Sequence, residues 1–242
     1  MKKTGKRLGL LLPASNSTME KELAAYLPQG ISLHVSRMHV GDVTPEELLA
    51  MASYAPEAAN LLAECKPDLL LYGCTSGSFI LGKGFDLDLE EDINKKTGLP
   101  VITTSHAVLE ILKLYGIKRV AVGTPYSDEV NMRLESFLTD NGFTVVAITG
   151  LGYTDNIEIG CLSPWEAIHL AERIDCEEAE AIFLSCTNMQ TLESLSLMNN
   201  LFKKPVISSN YASLLWSIYM LGYPIKSWLN IDIREELLRR YL

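Results

Sequence analysis

The two halves of this chain match each other in register, and that match restricts the possible folds more than any other feature. "KRLGLLLPASN" begins at Lys6 and "KRVAVGTPYSD" at Lys118, 112 positions later. Gly30, ahead of the apolar run "ISLHV", stands 112 positions before Gly142, which precedes "FTVVAI". Cys74 and Cys186 keep the same spacing, whereas "PVITTS" from Pro100 and "PVISSN" from Pro205 lie 105 apart, so the last loops differ in length. A period this long is far beyond the roughly 20–50 residues of solenoid arrays and implies two lobes that face one another.

Each half carries four short apolar runs: "RLGLLL", "ISLHV", "DLLLY" and "PVITT" in the first, "RVAVG", "FTVVAI", "AIFLS" and "PVISS" in the second. Amphipathic stretches separate them. In "TPEELLAMASYAPEAANLLAEC", Thr44, Pro45 and Glu47 take the N-cap, first helical and capping-box positions, and Ser163, Pro164 and Glu166 repeat that signature in "SPWEAIHLAERI". Strand, helix and strand in this rhythm predict parallel sheets with right-handed crossovers. The expected class is α/β, with two pseudo-symmetric Rossmann-like lobes, each a four-stranded parallel sheet flanked by helices. The lobes are expected at 1–103 and 104–208, with 209–242 packing back on the first lobe or on a neighbour through the amphipathic "SWLNIDIREELLRRYL".

Composition narrows the function classes. A chain of 242 residues that is 48% hydrophobic has enough apolar surface for a packed core. No apolar run reaches the eighteen or so residues of a membrane span. Five cysteines, an odd number without CxxC spacing, fit a reducing compartment and hence the cytoplasm. A formal net charge of −9 without a basic stripe argues against nucleic acid as a partner. An anionic substrate remains compatible, because backbone N–H groups at helix starts bind anions locally.

In open parallel sheets, ligands bind beyond the carboxyl ends of the strands. Cys74 and Cys186 stand there, followed by "TSGS" and "TNMQT". If the lobes face each other across one cleft, the two thiols meet around a shared ligand. Backbone N–H groups beside them favour a thiolate over a thiol, which matters for a group with an ordinary pKa of about 8.5. Cys65, ending an amphipathic helix, and Cys176, in a helix-to-strand connection, have structural readings, and Cys161 has no comparable setting.

Other loops at the same end supply polar side chains. "PASNSTME" follows the first strand, with Ser17 and Glu20 at capping-box spacing and Asn16 offering an amide donor. Its counterpart "TPYSDEVN" places Tyr126 opposite Ala14, so the cleft is chemically lopsided and gains a phenol donor. "GYTDNIEIG", after the sixth strand, contributes Asn156 from a polar loop. The four histidines show no metal spacing, His169 falls within a helix, and neither a P-loop nor a GxGxxG follows a strand. No metal and no nucleotide or redox cofactor is implied. The carboxylates of "DLDLEED" read as a solvated helix start.

Taken in order, "PASN", "CTSGS", "TPY", "DN" with a following glycine, and "SCTN" resemble the maleate cis-trans isomerase branch of the aspartate/glutamate racemase superfamily, across essentially the whole chain. The resemblance implies that Cys74 is the nucleophile and Cys186 its partner acid or base. It implies that Asn16, Tyr126 and Asn156 hold the substrate, with Thr75, Ser76 and Thr187 as backbone or hydroxyl donors. The implied activity is cofactor-independent conversion of maleate to fumarate through a succinyl-thioether-like adduct. The implied partners are a small dicarboxylate and further copies of the chain, as a homodimer or higher homo-oligomer. Related amino-acid racemases carry Asn-Thr after the first cysteine where this chain has Thr-Ser, and arylmalonate decarboxylase keeps a glycine where Cys74 stands. A two-cysteine racemase, a decarboxylase of malonate-type diacids and a non-enzymatic carboxylate-binding protein are the alternatives.

Overall fold

Leu8, Leu10, Leu11 and Leu12 are all fully buried, although consecutive strand residues point to opposite faces. Only a strand covered on both sides reads this way, and in a parallel sheet helices provide the cover. The computed structural model describes residues 5–224. Its first sheet contains β1 (Lys6–Pro13), β2 (Ile31–Met38), β3 (Leu69–Tyr72) and β4 (Val101–Thr103) in the order β2-β1-β3-β4. The second contains β5 (Arg119–Thr124), β6 (Thr144–Gly150), β7 (Ala181–Leu184) and β8 (Val206–Ser208) in the order β6-β5-β7-β8. Every pairing is parallel, so the second sheet repeats the topology of the first. Gly30 (φ +95°) and Gly142 (φ +89°) take the same left-handed turn into the second strand of each lobe, a conformation that glycine adopts without steric penalty.

The helices of the first lobe are α1 (Met19–Tyr26), α2 (Pro45–Ala63), α3 (Thr75–Phe79), α4 (Phe85–Thr97) and α5 (Thr104–Leu114). Those that follow are α6 (Asp128–Asp140), α7 (Asn156–Gly160), α8 (Pro164–Ile174), α9 (Leu195–Phe202) and α10 (Ser209–Met220). The carboxylates of "DLDLEED" open α4, but Asp86 is buried where a solvated group was expected. Thr44 accepts from the Glu47 N–H with Pro45 in the first turn of α2, and Ser163 and Glu166 make a full capping box on α8. The capping box expected at Ser17 and Glu20 does not form. Asn16 Oδ1 instead accepts from the N–H groups of Thr18 and Met19, both at 3.0 Å, and Glu20 pairs with Arg37. An asparagine amide one residue earlier reaches both free donors at once, which leaves Glu20 for β2.

The lobes join along α5 and α10, each entered directly from the last strand of its sheet. Tyr115 and Tyr211 share a hydroxyl contact of 3.0 Å, and Ser213 donates to Thr104 at 3.2 Å. Helix α10 also touches α1 and β3 of the first lobe. The expectation for "SWLNIDIREELLRRYL" falls outside the described residues.

Glu22 supplies a second joint. It projects from α1 into the other lobe, where one carboxylate oxygen accepts from the N–H groups of Thr191 (2.7 Å) and Leu192 (2.9 Å) and the other from Asn210 Nδ2 (2.6 Å). Burial pushes its pKa above the usual carboxylate range, and the three donors counter that in part. Glu22→Ala strands those donors in a buried seam. Urea unfolding should show a loss of about 3 kcal/mol, the scale for breaking one side of a buried charged network.

Candidate active site

Strand β3 ends at Tyr72 and the chain turns at once into α3, so Cys74 becomes the N-cap of that short helix, with its Sγ accepting the Gly77 N–H at 3.4 Å. Beyond β7 the equivalent Cys186 Sγ accepts the Asn188 N–H at 3.3 Å. Both sulfurs border one small cavity between the lobes, and Asn16, Ser76, Tyr126, Asn156 and Thr187 border it with them. Of the eight site residues expected from sequence, only Thr75 is absent from its wall. Its hydroxyl turns to the lobe seam and donates to Ser209 Oγ at 2.8 Å.

The polar side chains are held in fixed orientations. Because Asn16 Oδ1 is occupied by α1, its Nδ2 is the free face; it donates to Thr187 Oγ1 at 3.1 Å, and Thr187 donates onward to the Gly73 carbonyl at 3.1 Å. Asn156 opens α7, a short helix where the sequence suggested a loop, with Asp155 capping the Ile157 N–H at 2.7 Å. Asn156 Nδ2 donates to Ser15 Oγ at 2.8 Å. Asn188 was not among the expected site residues, yet it ties the site together. Its Oδ1 accepts the Ser17 N–H at 2.9 Å, its Nδ2 donates to both oxygens of Asn156, and its carbonyl accepts from Thr18 Oγ1.

Pro13, Val40, Val43 and Leu48 form the apolar part of the wall. Sequence reading missed them because Val40 and Val43 lie in the irregular β2–α2 connection, where no periodicity assigns a face. The Val43 N–H donates to the Thr154 carbonyl at 2.7 Å and closes this connection onto the loop before α7. The enclosed space is about 20 Å³, room for little more than one water molecule. A four-carbon diacid needs more room than this.

No lysine or arginine borders the cavity among the described residues, so an anion there is held by neutral donors. Burial raises both thiols above the ordinary thiol range. For Cys74, the Gly77 N–H and the Ser76 hydroxyl at 3.7 Å act against that rise. Cys186 is pushed up to about 12, with the nearby Cys74 sulfur adding to burial while Asn188 and Tyr126 oppose it. Burial thus holds both thiols mainly protonated, with the Gly77 N–H and the Ser76 hydroxyl the groups that favour the anion at Cys74. Burial and the two sulfurs hold the Tyr126 phenol far above its usual range, so it stays a protonated donor. Cys65, Cys161 and Cys176 are free thiols elsewhere, and His169 lies exposed on α8.

Two α/β lobes of one topology thus each bring one strand-end thiol to a common cavity ringed by amides and hydroxyls. Comparison with known proteins gives the family. The chain belongs to the arylmalonate decarboxylase family, whose model matches residues 8–227. The maleate isomerase of Alcaligenes faecalis is 28% identical over 229 residues, covering 89% of this chain and 89% of the relative. A cysteine-to-alanine variant of the maleate isomerase Iso from Pseudomonas putida S16, solved with maleate, superposes with a TM-score of 0.87 at 26% identity, over 90% of this chain and 93% of that one. A cysteine-to-serine variant of the Nocardia farcinica maleate cis-trans isomerase, carrying a covalently bound succinylcysteine intermediate, has a TM-score of 0.87 at 26% identity, over 97% and 98% of the two chains. No described helix is long and apolar enough to cross a membrane.

Proposed function

We propose that this chain is a cofactor-independent cis-trans isomerase that converts maleate to fumarate through a covalent adduct on Cys74. One observation carries the reading: two thiols, one from each lobe, border a single cavity whose other polar groups are neutral donors. Rotation about a carbon–carbon double bond requires that its bond order fall, and conjugate addition of a thiolate does this. Cys74 sulfur bonds to one alkene carbon, and the π pair moves toward the second carbon and its carboxylate as an enolate-like anion. Cys186 delivers a proton to that second carbon and takes up the one Cys74 released. Rotation about the new single bond follows. Cys186 then passes its proton to the departing Cys74 sulfur as it removes one from the same carbon, the pair reforms the double bond, and the trans diacid is made with no net change in oxidation state.

Asn16, Tyr126 and Asn156, with Ser76 and Thr187, serve as donors to the carboxylates. Donors aimed at charge that develops only in the enolate-like state act as an oxyanion hole does, where one is worth about 2.7–4 kcal/mol. The maleate and succinylcysteine in the two solved relatives support this assignment of substrate and intermediate. Proton NMR of the purified protein with maleate, under reducing conditions, should show the fumarate alkene signal growing. Racemisation of an amino acid without any fumarate would overturn the reading.

The apolar wall of Val40, Val43 and Leu48 favours a second reading, decarboxylation of a malonate-type diacid that bears an apolar substituent, with Cys186 protonating the product carbanion. Carbon dioxide release from an arylmalonate, measured beside the maleate assay, separates the two. A cytoplasmic location and assembly as a homodimer or higher homo-oligomer complete the proposal, supported by five unpaired cysteines for the first and checked by light scattering for the second.

A further inference from the structure

Tyr72, the last residue of β3, is fully buried, and its hydroxyl finds no hydrogen-bonding partner among the described residues. Such an orphaned group lowers stability, so a hydroxyl kept there calls for a state in which it is paired. Gly77 locates it. A Cβ placed on Gly77 would stand 2.8 Å from the Tyr72 hydroxyl oxygen and 3.2 Å from Cys74 Sγ, so at most about 6 Å separates the two. Glycine puts no Cβ between them, and the Met51 methyl carbon, 2.7 Å from the same point, flanks that space. Rotation of Cys74 between χ1 rotamers moves its sulfur by up to about 3 Å, enough to bring it within reach of the hydroxyl.

The second lobe has no such arrangement. At the 112-residue spacing, Tyr72 corresponds to Leu184 and Gly77 to Met189, so Cys186 has no counterpart of either, and its phenol partner is Tyr126, which borders the cavity. Tyr72 does not border the cavity, which rules out direct contact with substrate there. Burial, reinforced by the Cys74 sulfur, holds the phenol far above its ordinary pKa, so it remains a donor at any working pH.

We propose that the Tyr72 hydroxyl is a positioning donor reserved for Cys74: unpaired while the sulfur is a neutral thiol, it donates across the Gly77 gap when the sulfur becomes a thiolate, before attack and again on departure. This rests on the reading of Cys74 as the nucleophile. The asymmetry between the lobes then has a purpose, since only the Cys74 sulfur makes and breaks a bond to carbon.

Tyr72→Phe removes one oxygen and nothing else. Its thermal midpoint should equal or exceed that of the parent, because an unpaired hydroxyl is lost. The pH midpoint for alkylation of Cys74 by iodoacetamide, read by mass spectrometry on the peptide that bears it, should rise by about one unit, the shift expected for loss of one charge-assisted hydrogen bond. The kcat for maleate should fall about tenfold with KM unchanged. An unmoved alkylation midpoint overturns the proposal, and so does a clear drop in thermal midpoint, which would mean that the hydroxyl serves the fold. The alkylation arm uses no substrate. A chain inert toward maleate would therefore defeat the isomerase reading, while the alkylation midpoint would still decide the role of Tyr72.

Discussion

Cys74→Ser should lower maleate turnover by on the order of a thousandfold or more and leave the fold intact. The nucleophile must be anionic when it attacks, and even the thiol is disfavoured as an anion by burial, with only the Gly77 N–H and the Ser76 hydroxyl in its support. A serine hydroxyl ionises far less readily and is a poor leaving group from carbon, so both halves of the cycle slow. Structure should not suffer. Residue 74 is the N-cap of α3, a position where serine is among the favoured residues, so circular dichroism and thermal unfolding should match the parent. Turnover within tenfold of the parent would move the nucleophile elsewhere, with Cys186 the next candidate.

Much of this molecule can be read from local pattern. The 112-residue spacing marks a duplicated sheet because β1 and β3, and their counterparts β5 and β7, are buried on both faces and so appear as apolar runs that recur in order. Strand-end position brought Cys74 and Cys186 forward, since in parallel sheets of one topology those ends converge, while Asn16, Tyr126 and Asn156 took their substrate roles from the family resemblance. Partner identity across the lobes has no such signature. Glu22 reads as one more charge on a surface helix, yet it is buried against Thr191, Leu192 and Asn210, 169 to 188 positions away. Asn188 reads as a turn residue, yet it links Cys186 to Ser17 and Asn156. Thr75 shows the converse: its place next to the nucleophile suggested a substrate contact, but the first turn of α3 points it at Ser209. Helical phase decides that outcome, and the register of α3 against α10 is fixed only when both lobes are assembled.

Cys186→Ser should behave unlike Cys74→Ser, although both lose catalysis. Loss of the proton shuttle is expected to lower turnover by about a thousandfold, within the usual range for a general acid or base. The two proton transfers are not equally hard without it. An enolate-like anion is strongly basic and is quenched by a remaining donor such as the Tyr126 phenol, which stays protonated beside both sulfurs. The return step must pull a proton from a saturated carbon and needs a true base, which a serine hydroxyl is not. The adduct should therefore form and persist. Mass spectrometry of the Cys186→Ser protein after incubation with maleate should show one added maleate on the peptide bearing Cys74, absent when Cys74 is also replaced, while NMR detects little fumarate. Fumarate production near the parental rate would remove Cys186 from the proton path, and an adduct on any residue other than Cys74 would take the nucleophile's role from Cys74.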